Sequence, residues 1–526
     1  MSNNFPRGLR SGTRLSEPLG WVLILLLAAG IRFYRLDWAA LWYDEAYSMV
    51  MSTHPPARIW SLSGADVHPP LYYYCLRAWI GLFGSELVSM RALSAWTGVI
   101  AVGLGMWLTR LLATRRATLF AGIFLALLPI AIRYSHEMRM YTLLSVWMTG
   151  ATIGLVYWVG RPERRLCLAA YSVLVAAGLY THYFAMVGVM THWLYLLTLP
   201  KASNGRRPVL QPAWWMANLV TALLFLPWLP VLVGQLAHSS TLGWIKPVTL
   251  YSIPSALWQY LILQNATALP APLYWGLPLA LLIICAYCLA RDQQPQRFGR
   301  LLVIYFCAPL LVMWVVSLQF SLFVPRYFLF SALALPVLLG LSLDHLMRDH
   351  RWLAVVGFVV VVGVEATGIR NLYGEYDYTN ADGRPTQERI DAIATLINQQ
   401  YQPGDQIILL NYYWYSSLVY YNKSAAKPLL YVPAPRADGA VCMIYCPFTT
   451  PYDAQGIDFY IERLDALPPD TTRVWLVDGS DASDQLLPLP CRWRLEDVQI
   501  RGDNRVRLYE VDAALDSLSG KSCPPH

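Results

Sequence analysis

Residues 301–323 read LLVIYFCAPLLVMWVVSLQFSLF, from Leu301 to Phe323, without one acidic or basic side chain. At about 1.5 Å of rise per residue such a run crosses a hydrocarbon core of roughly 30 Å as a helix. A helix also satisfies its backbone polar groups internally, which lipid demands. The same reading applies to ten more runs, near 19–36, 86–109, 117–134, 140–160, 166–181, 184–200, 213–237, 272–290, 327–346 and 352–371. The chain is therefore expected to be an α-helical polytopic membrane protein with about eleven spans. The first run continues through Ile31, Phe33 and Tyr34 with no small-residue cleavage site, so it reads as a span and not a signal peptide.

Composition agrees: 56% of residues are hydrophobic and 14% charged, a balance shifted from soluble domains towards the bilayer. The net charge of +7 hides an asymmetry, because residues 1–371 carry +15 and residues 372–526 carry −8. That change marks the expected boundary between a transmembrane domain, 1–371, and an α/β domain, 372–526. The basic residues fall in short clusters between apolar runs, so nucleic acid is not an expected partner.

Those clusters set the orientation. Arg7/Arg10/Arg14, Arg110/Arg115/Arg116, Arg161/Arg164/Arg165, Lys201/Arg206/Arg207, Arg291/Arg297/Arg300 and Arg348/Arg351 alternate with outer connections, of which the short ones hold only Arg133, Arg139, Lys246 and Arg326. By the positive-inside rule the first group, and the N-terminus with it, is cytoplasmic. An odd number of spans then puts residues 372–526 outside the cytoplasm. In that domain, helical spacing over Thr386–Tyr401 leads through Pro403-Gly404 into a strand at Gln406–Leu410. A helix near 456–467 is expected before a strand Arg473–Val477, and a hairpin around Gly502-Asp503-Asn504, which together predict a small parallel-type sheet. No Gly-rich phosphate loop opens these helices, so no nucleotide site is expected there. Cys442, Cys446, Cys491 and Cys523 lie in the same domain, where three pairings or free thiols are open.

Ionisable groups near lipid are costly, so their placement carries information. They collect at the outer ends. The first outer loop, 37–85, contains Trp42-Tyr43-Asp44-Glu45 and then Asp66-Val67-His68-Pro69-Pro70-Leu71-Tyr72-Tyr73. The second outer turn runs from Arg133 through His136, Glu137 and Arg139 to Tyr141, and later ends supply His182, Lys246 and Pro325-Arg326-Tyr327. Each has a bland reading: solvated acids, an aromatic belt, snorkelling arginines. Their conjunction on one side points to a site, and Arg139, Lys246 and Arg326 stand against the positive-inside bias.

The acidic pair, the Asp66-Val67-His68-Pro69-Pro70-Leu71 stretch and the Glu137/Arg139/Tyr141 turn resemble the GT-C superfamily of polyprenyl-phosphate-sugar-dependent glycosyltransferases. The likeness is to bacterial relatives of the dolichyl-phosphate-mannose protein mannosyltransferases and the lipid A aminoarabinose transferases. It covers residues 15–200, returns at Pro325-Arg326-Tyr327, and fades over 372–526. The resemblance implies a GT-C-like fold, a first loop forming interfacial helices over the site, and Asp44 as the catalytic acidic residue.

Sugar transfer from a polyprenyl phosphate needs a base for the acceptor hydroxyl, cations for the departing phosphate, and exclusion of water. Asp44 fits the base, with Glu45 orienting it. His68, Glu137, Arg139, Tyr141, His182, Lys246, Arg326 and Tyr327 are candidates to bind the donor's phosphate and sugar, the arginines by bidentate bonds. A divalent metal bridging Asp44 or Glu137 to the phosphate is compatible with the sequence, though no His/Asp cluster has ligand spacing that compels one. The expected partners are a polyprenyl-phosphate-sugar donor in the membrane and a lipid, glycan or protein acceptor. The competing class is a transporter or flippase, which tends to place ionisable residues near the midplane and to show inverted repeats. Neither feature is apparent.

Overall fold

The computed structural model describes residues 16–201, 205–237, 245–264, 269–374, 388–432, 459–480 and 489–512. The chain divides into two compact units, one of residues up to Leu36 with Ile59–Thr386, the other of Asp37–Arg58 with Gln387–His526. The second unit thus takes part of the first loop, a grouping that the charge boundary at 371 does not reveal.

The helices begin with α1 (Ser16–Phe33), α2 (Tyr43–Thr53), α3 (Pro56–Ala65), α4 (Leu71–Phe83), α5 (Leu87–Leu112), α6 (Arg115–Leu127) and α7 (Pro129–Arg133). There follow α8 (Tyr141–Gly160), α9 (Arg165–Thr181), α10 (Ala185–Thr198), α11 (Pro212–Phe225), α12 (Leu229–Ala237) and α13 (Ser252–Ile262). The unit continues through α14 (Ala271–Arg291), α15 (Phe298–Val316), α16 (Leu329–Ala332), α17 (Ala334–Asp349) and α18 (Arg351–Tyr373). Among the described residues seven stretches are long and apolar enough to cross a membrane: α5, α8, Pro212–Leu236, α14, α15, Pro325–Asp349 and α18. The apolar helices α9 and α10 are shorter, and α1 and the α6–α7 pair occupy the two remaining apolar runs. This is an integral membrane protein.

Pro325–Asp349 is the centre of the helical unit, with almost every residue buried, while α14 and α18 leave most of theirs at the periphery. Gly340 lets α17 approach α6, since a Cβ there would stand 2.7 Å from the Ala121 nitrogen and 2.8 Å from the Ala117 oxygen. The break between α6 and α7 follows from Pro129, which has no N–H for the preceding turn. The carbonyls of Leu125 and Ala126 are taken instead by Arg32, at 3.2 and 3.0 Å. One run is shorter than its apolar length suggests: α15 ends at Val316, not Phe323, because the Ser317 hydroxyl accepts the Leu322 amide at 3.2 Å and Pro325 follows.

The second unit is α/β. Helix α19 (Ile390–Gln400) leads through Gly404, whose φ of +93° suits glycine, into β1 (Asp405–Leu409). Then come α20 (Tyr412–Tyr421), β2 (Leu429–Tyr431), β3 (Tyr460–Ile461), β4 (Arg473–Gly479), β5 (Trp493–Arg501) and β6 (Asn504–Val511). The sheet order is β3-β2-β1-β4-β6-β5. The first four strands are parallel, and β6 and β5 add antiparallel. The expected parallel-type sheet is therefore mixed, because the hairpin at Gly502-Asp503 docks beside β4.

The helix expected near 456–467 does not form at its described residues. Tyr460 and Ile461, good strand formers, pair with Leu430 and Tyr431 as an edge strand, and Pro468-Pro469 would interrupt a helix. Residues 456–458 and Thr386 lie outside the described residues. One apolar cluster packs Ile393, Ile397, Ile407, Leu418 and Trp475 together; another gathers Ile408, Leu476, Trp493 and Tyr509. Cys491 is disulfide-bonded, so the free-thiol alternative fails for it; Cys442, Cys446 and Cys523 lie outside the described residues.

Candidate functional site

Loops and helix ends of the helical unit bring the chemistry together. Pro69-Pro70 ends the loop ahead of α4 and sets His68 just before it. The His68 Nδ1–H donates to the Asp66 carboxylate at 3.1 Å, leaving Nε2 to accept from the Arg139 guanidinium at 3.4 Å. Carboxylate, imidazole and guanidinium thus form one chain, each member orienting the next. Gln235 secures its loop, donating to the carbonyls of Ser63 and Asp66 at 2.8 and 2.5 Å. Burial pushes the Asp66 carboxyl up, but the His68 hydrogen bond and charge, the Val67 amide and Arg139 outweigh it, and its pKa lies below the ordinary carboxylate value.

Arg139 comes from the turn between α7 and α8. Its carbonyl accepts the Ser94 hydroxyl at 3.2 Å, which fastens the turn to α5, and Glu137 pairs with Arg133 at 2.6 Å, one helical turn earlier. The Glu137 carboxylate thereby braces the turn that carries Arg139.

His182 caps the end of α9, where its Nδ1 accepts the Phe184 amide at 3.2 Å. That assigns the proton to Nε2, making the ring an uncharged donor. Burial first, then the charges of His68, Arg139 and Arg326, hold its pKa well below the ordinary imidazole value. Its ring lies 5.8 Å from His68, 6.2 Å from Tyr141 and 4.9 Å from Tyr327. Tyr141 and Tyr327 are 6.1 Å apart. The Arg326 guanidinium sits over Tyr327 at 5.7 Å, on a 3₁₀ turn, Pro325–Phe328, that proline starts. Arg139 and Arg326 are both buried.

His68, Arg139, Tyr141, His182, Arg326 and Tyr327 therefore converge. Lys246 does not join them: it is exposed in the loop before α13. Asp44 and Glu45 open α2 in the second unit, Asp44 half-buried and Glu45 buried. Their segment is held there by the Leu41 amide donating to the Tyr421 hydroxyl at 2.9 Å, and by Tyr43 packing edge-on against Tyr412 and Tyr413 at 5.7 and 4.8 Å. Asp66 was passed over although it stands two residues before His68; Gln235 had no signal in the sequence at all. Among the described residues no group of three or more His, Cys, Asp or Glu side chains is placed to hold a metal ion.

The arrangement offers two buried guanidiniums, one neutral imidazole donor and aromatic walls, which suits a phosphate monoester or diester. Residues 67–230, which include the His68, Arg139 and His182 segments, match the family model of the dolichyl-phosphate-mannose-protein mannosyltransferases. Over the whole chain the fold resembles that of ArnT from Cupriavidus metallidurans bound to undecaprenyl phosphate, with a TM-score of 0.59 at 17% identity, covering 96% of this chain and 99% of that one. The chain has the GT-C fold. ArnT in the apo state gives a TM-score of 0.58 at 16% identity, with 97% and 100% covered. The archaeal oligosaccharyltransferase AglB from Archaeoglobus fulgidus, in complex with an inhibitory peptide and a dolichol-phosphate, gives 0.50 at 12%, with 79% and 64% covered. No curated protein matches by sequence. The GT-C likeness to ArnT extends through the C-terminal α/β region, where sequence resemblance had faded.

Proposed function

We propose that this chain is a membrane glycosyltransferase that moves a sugar from a polyprenyl-phosphate-linked donor to an acceptor hydroxyl at the extracytoplasmic face. The observation that carries the reading is the convergence of His68, Arg139, His182, Arg326 and Tyr327 from four separate segments. The family match over residues 67–230 and the GT-C fold support it. So does ArnT, whose solved structure holds undecaprenyl phosphate.

In this mechanism Arg139 and Arg326 grip the donor phosphate and neutralise charge as it leaves, with the His182 Nε2–H as a third donor. Asp66 and His68 hold Arg139 in orientation. Asp44 takes the acceptor's proton as the acceptor oxygen bonds to the anomeric carbon, and the bond from that carbon to the phosphate oxygen breaks, releasing polyprenyl phosphate. Glu45 orients Asp44 or bonds sugar hydroxyls. Tyr141 and Tyr327 wall the site against water, and Glu137 braces the Arg139 turn. Lys246, being exposed, is left outside the clamp.

The topology assigned to this chemistry has the Arg110–Arg116 end inside and the His68–Arg326 end outside, with the second unit extracytoplasmic. The charge bias supports that orientation. The disulfide-bonded Cys491 supports it too, since such bonds persist in oxidising compartments.

The test is transfer of labelled sugar from polyprenyl phosphate by purified parent and Asp44→Asn, with donor binding measured apart. The amide keeps the shape but cannot take a proton, so turnover should vanish while donor affinity stays. Near-parental turnover would remove Asp44 from the role and make Glu45 or Glu137 the next candidate.

A further inference from the structure

A second polar site lies at the other end of the helical unit. A cavity of about 570 Å³ opens where the α5–α6 connection, the α14–α15 connection and the end of α17 meet, and five arginines line it against two aspartates. These are three of the connections that charge bias assigns to the cytoplasm, so segments distant in sequence converge on one basic pocket.

Ion pairing does not consume its charge. Glu17 holds Arg110 and Arg115 at 2.9 and 2.5 Å. Asp344 lies between Arg116 and Arg348, each 2.7 Å away, and Asp349 pairs with Arg291. Of the lining aspartates, Asp292 accepts the Arg300 amide at 3.1 Å and so caps α15. Counting Glu17 and Asp349 with the lining acids, five guanidiniums still face four carboxylates. Arg116, Arg291 and Arg348 are about half exposed while each pairs with an aspartate, Arg116 bonding the Asp344 carbonyl as well, and all three line the cavity. Guanidiniums approaching from three elements suit a tetrahedral phosphate, and Leu112, Phe298 and Leu341 add apolar wall.

We propose that this cavity binds the phosphate headgroup of an anionic phospholipid of the cytoplasmic leaflet. Phosphate chemistry is shared with free anions, but a pocket between spanning helices at the membrane border, basic at its mouth and apolar in its wall, fits a headgroup still attached to its chains. The site is independent of sugar transfer at the opposite end.

The experiment places the full chain in phosphatidylcholine nanodiscs with rising phosphatidylglycerol and reads an apparent affinity from the rise in melting temperature. The parent should show a saturable rise. Arg291→Gln/Arg348→Gln should weaken the affinity roughly thirtyfold, about fivefold for each arginine lost. Arg164→Gln/Arg207→Gln removes equal charge from the same face outside the cavity and should change it less than twofold. Arg291→Lys/Arg348→Lys keeps the charge and should stay within severalfold of the parent, which separates lost binding from lost folding. Inorganic phosphate alone should produce no shift. An unsaturable response, an equal loss in the Arg164/Arg207 pair, a thirtyfold loss in the lysine pair or a shift with inorganic phosphate would each overturn the proposal.

Discussion

At the Arg110–Arg116 end of the helical unit Arg116, Arg291 and Arg348 are about half exposed and paired with aspartates, whereas at the opposite end Arg139 and Arg326 are 2% and 6% exposed, with His68 and Tyr327 among their neighbours. An exposed ion pair is worth little, typically up to about 1 kcal/mol, and tolerates replacement. A buried cation instead carries a desolvation cost of several kcal/mol, which an anionic ligand offsets when it binds. On the proposed reading, the same residue type marks topology and a lipid border at one end and a reaction centre at the other.

The sharpest way to break that comparison is to remove charge at each end in turn. Arg326→Ala should lower kcat/KM for sugar transfer by about a hundredfold or more, the usual scale for losing a buried charge-assisted contact to a reacting group. Arg116→Gln should leave it within about twofold. Equal losses at both ends would mean that arginine content, and not burial among aromatics, sets the activity.

A smaller effect is expected one step away from the phosphate. Asp66→Asn keeps the loop's shape but weakens the hold on His68, and through it on Arg139, so kcat/KM should fall about tenfold. Glu137→Gln should act similarly by loosening the turn at Arg133. The proposed phosphate clamp predicts that Arg139→Ala masks the Asp66→Asn loss in a double variant; full additivity would separate the two residues.

Titration probes the buried end of that comparison. His182 is held neutral in the fold, its pKa well below the ordinary imidazole value. The unfolded chain takes up that proton as pH falls through about 6.5 while the folded chain does not, so stability declines below that pH. Asp66 has the opposite charge and a lowered pKa; its contribution is full above about pH 4 and is lost only as pH falls through its lower folded value. Melting temperature should thus drop between about pH 6.5 and 5, and His182→Gln should flatten that slope. A slope unchanged in His182→Gln would assign the effect to another group.

The smallest change concerns the second unit. Tyr421→Phe removes the acceptor of the Leu41 amide and should cost about 1 kcal/mol of stability. If the segment from Asp37 to Arg58 depends on that contact to present Asp44, turnover should fall with little change in donor affinity.

Much of this was legible from the sequence, for physical reasons that also explain the gaps. Apolar runs become helices because lipid leaves the backbone few alternatives, and every run read that way contains a helix, though α15 stops at Val316, short of the end of its run. His182, Arg139 and Arg326 stood out because charge or imidazole at the end of an apolar run is costly. Asp66 was hidden by its neighbour: a lone acid beside His-Pro-Pro reads as loop polarity until the His68 bond is seen. The brace from Glu137 to Arg133 went unread although the two stand four residues apart in helical register. In the second unit the hairpin at Gly502-Asp503 was visible because turns are local. The edge strand Tyr460–Ile461, the Tyr-rich α20 and the grouping of Asp37–Arg58 with the C-terminal sheet depend on pairings across long stretches of chain, which periodicity does not encode.

The central claim is that the buried arginine cluster holds the phosphate of a polyprenyl-linked donor. Its most direct test is binding of undecaprenyl phosphate to the purified chain, comparing the parent with Arg139→Ala/Arg326→Ala and with Arg291→Gln/Arg348→Gln, each checked for an intact fold by its melting transition. The account predicts an affinity loss of about a hundredfold or more in the first pair and less than about threefold in the second. Parental affinity in the Arg139/Arg326 pair, or a loss confined to the Arg291/Arg348 pair, would contradict it.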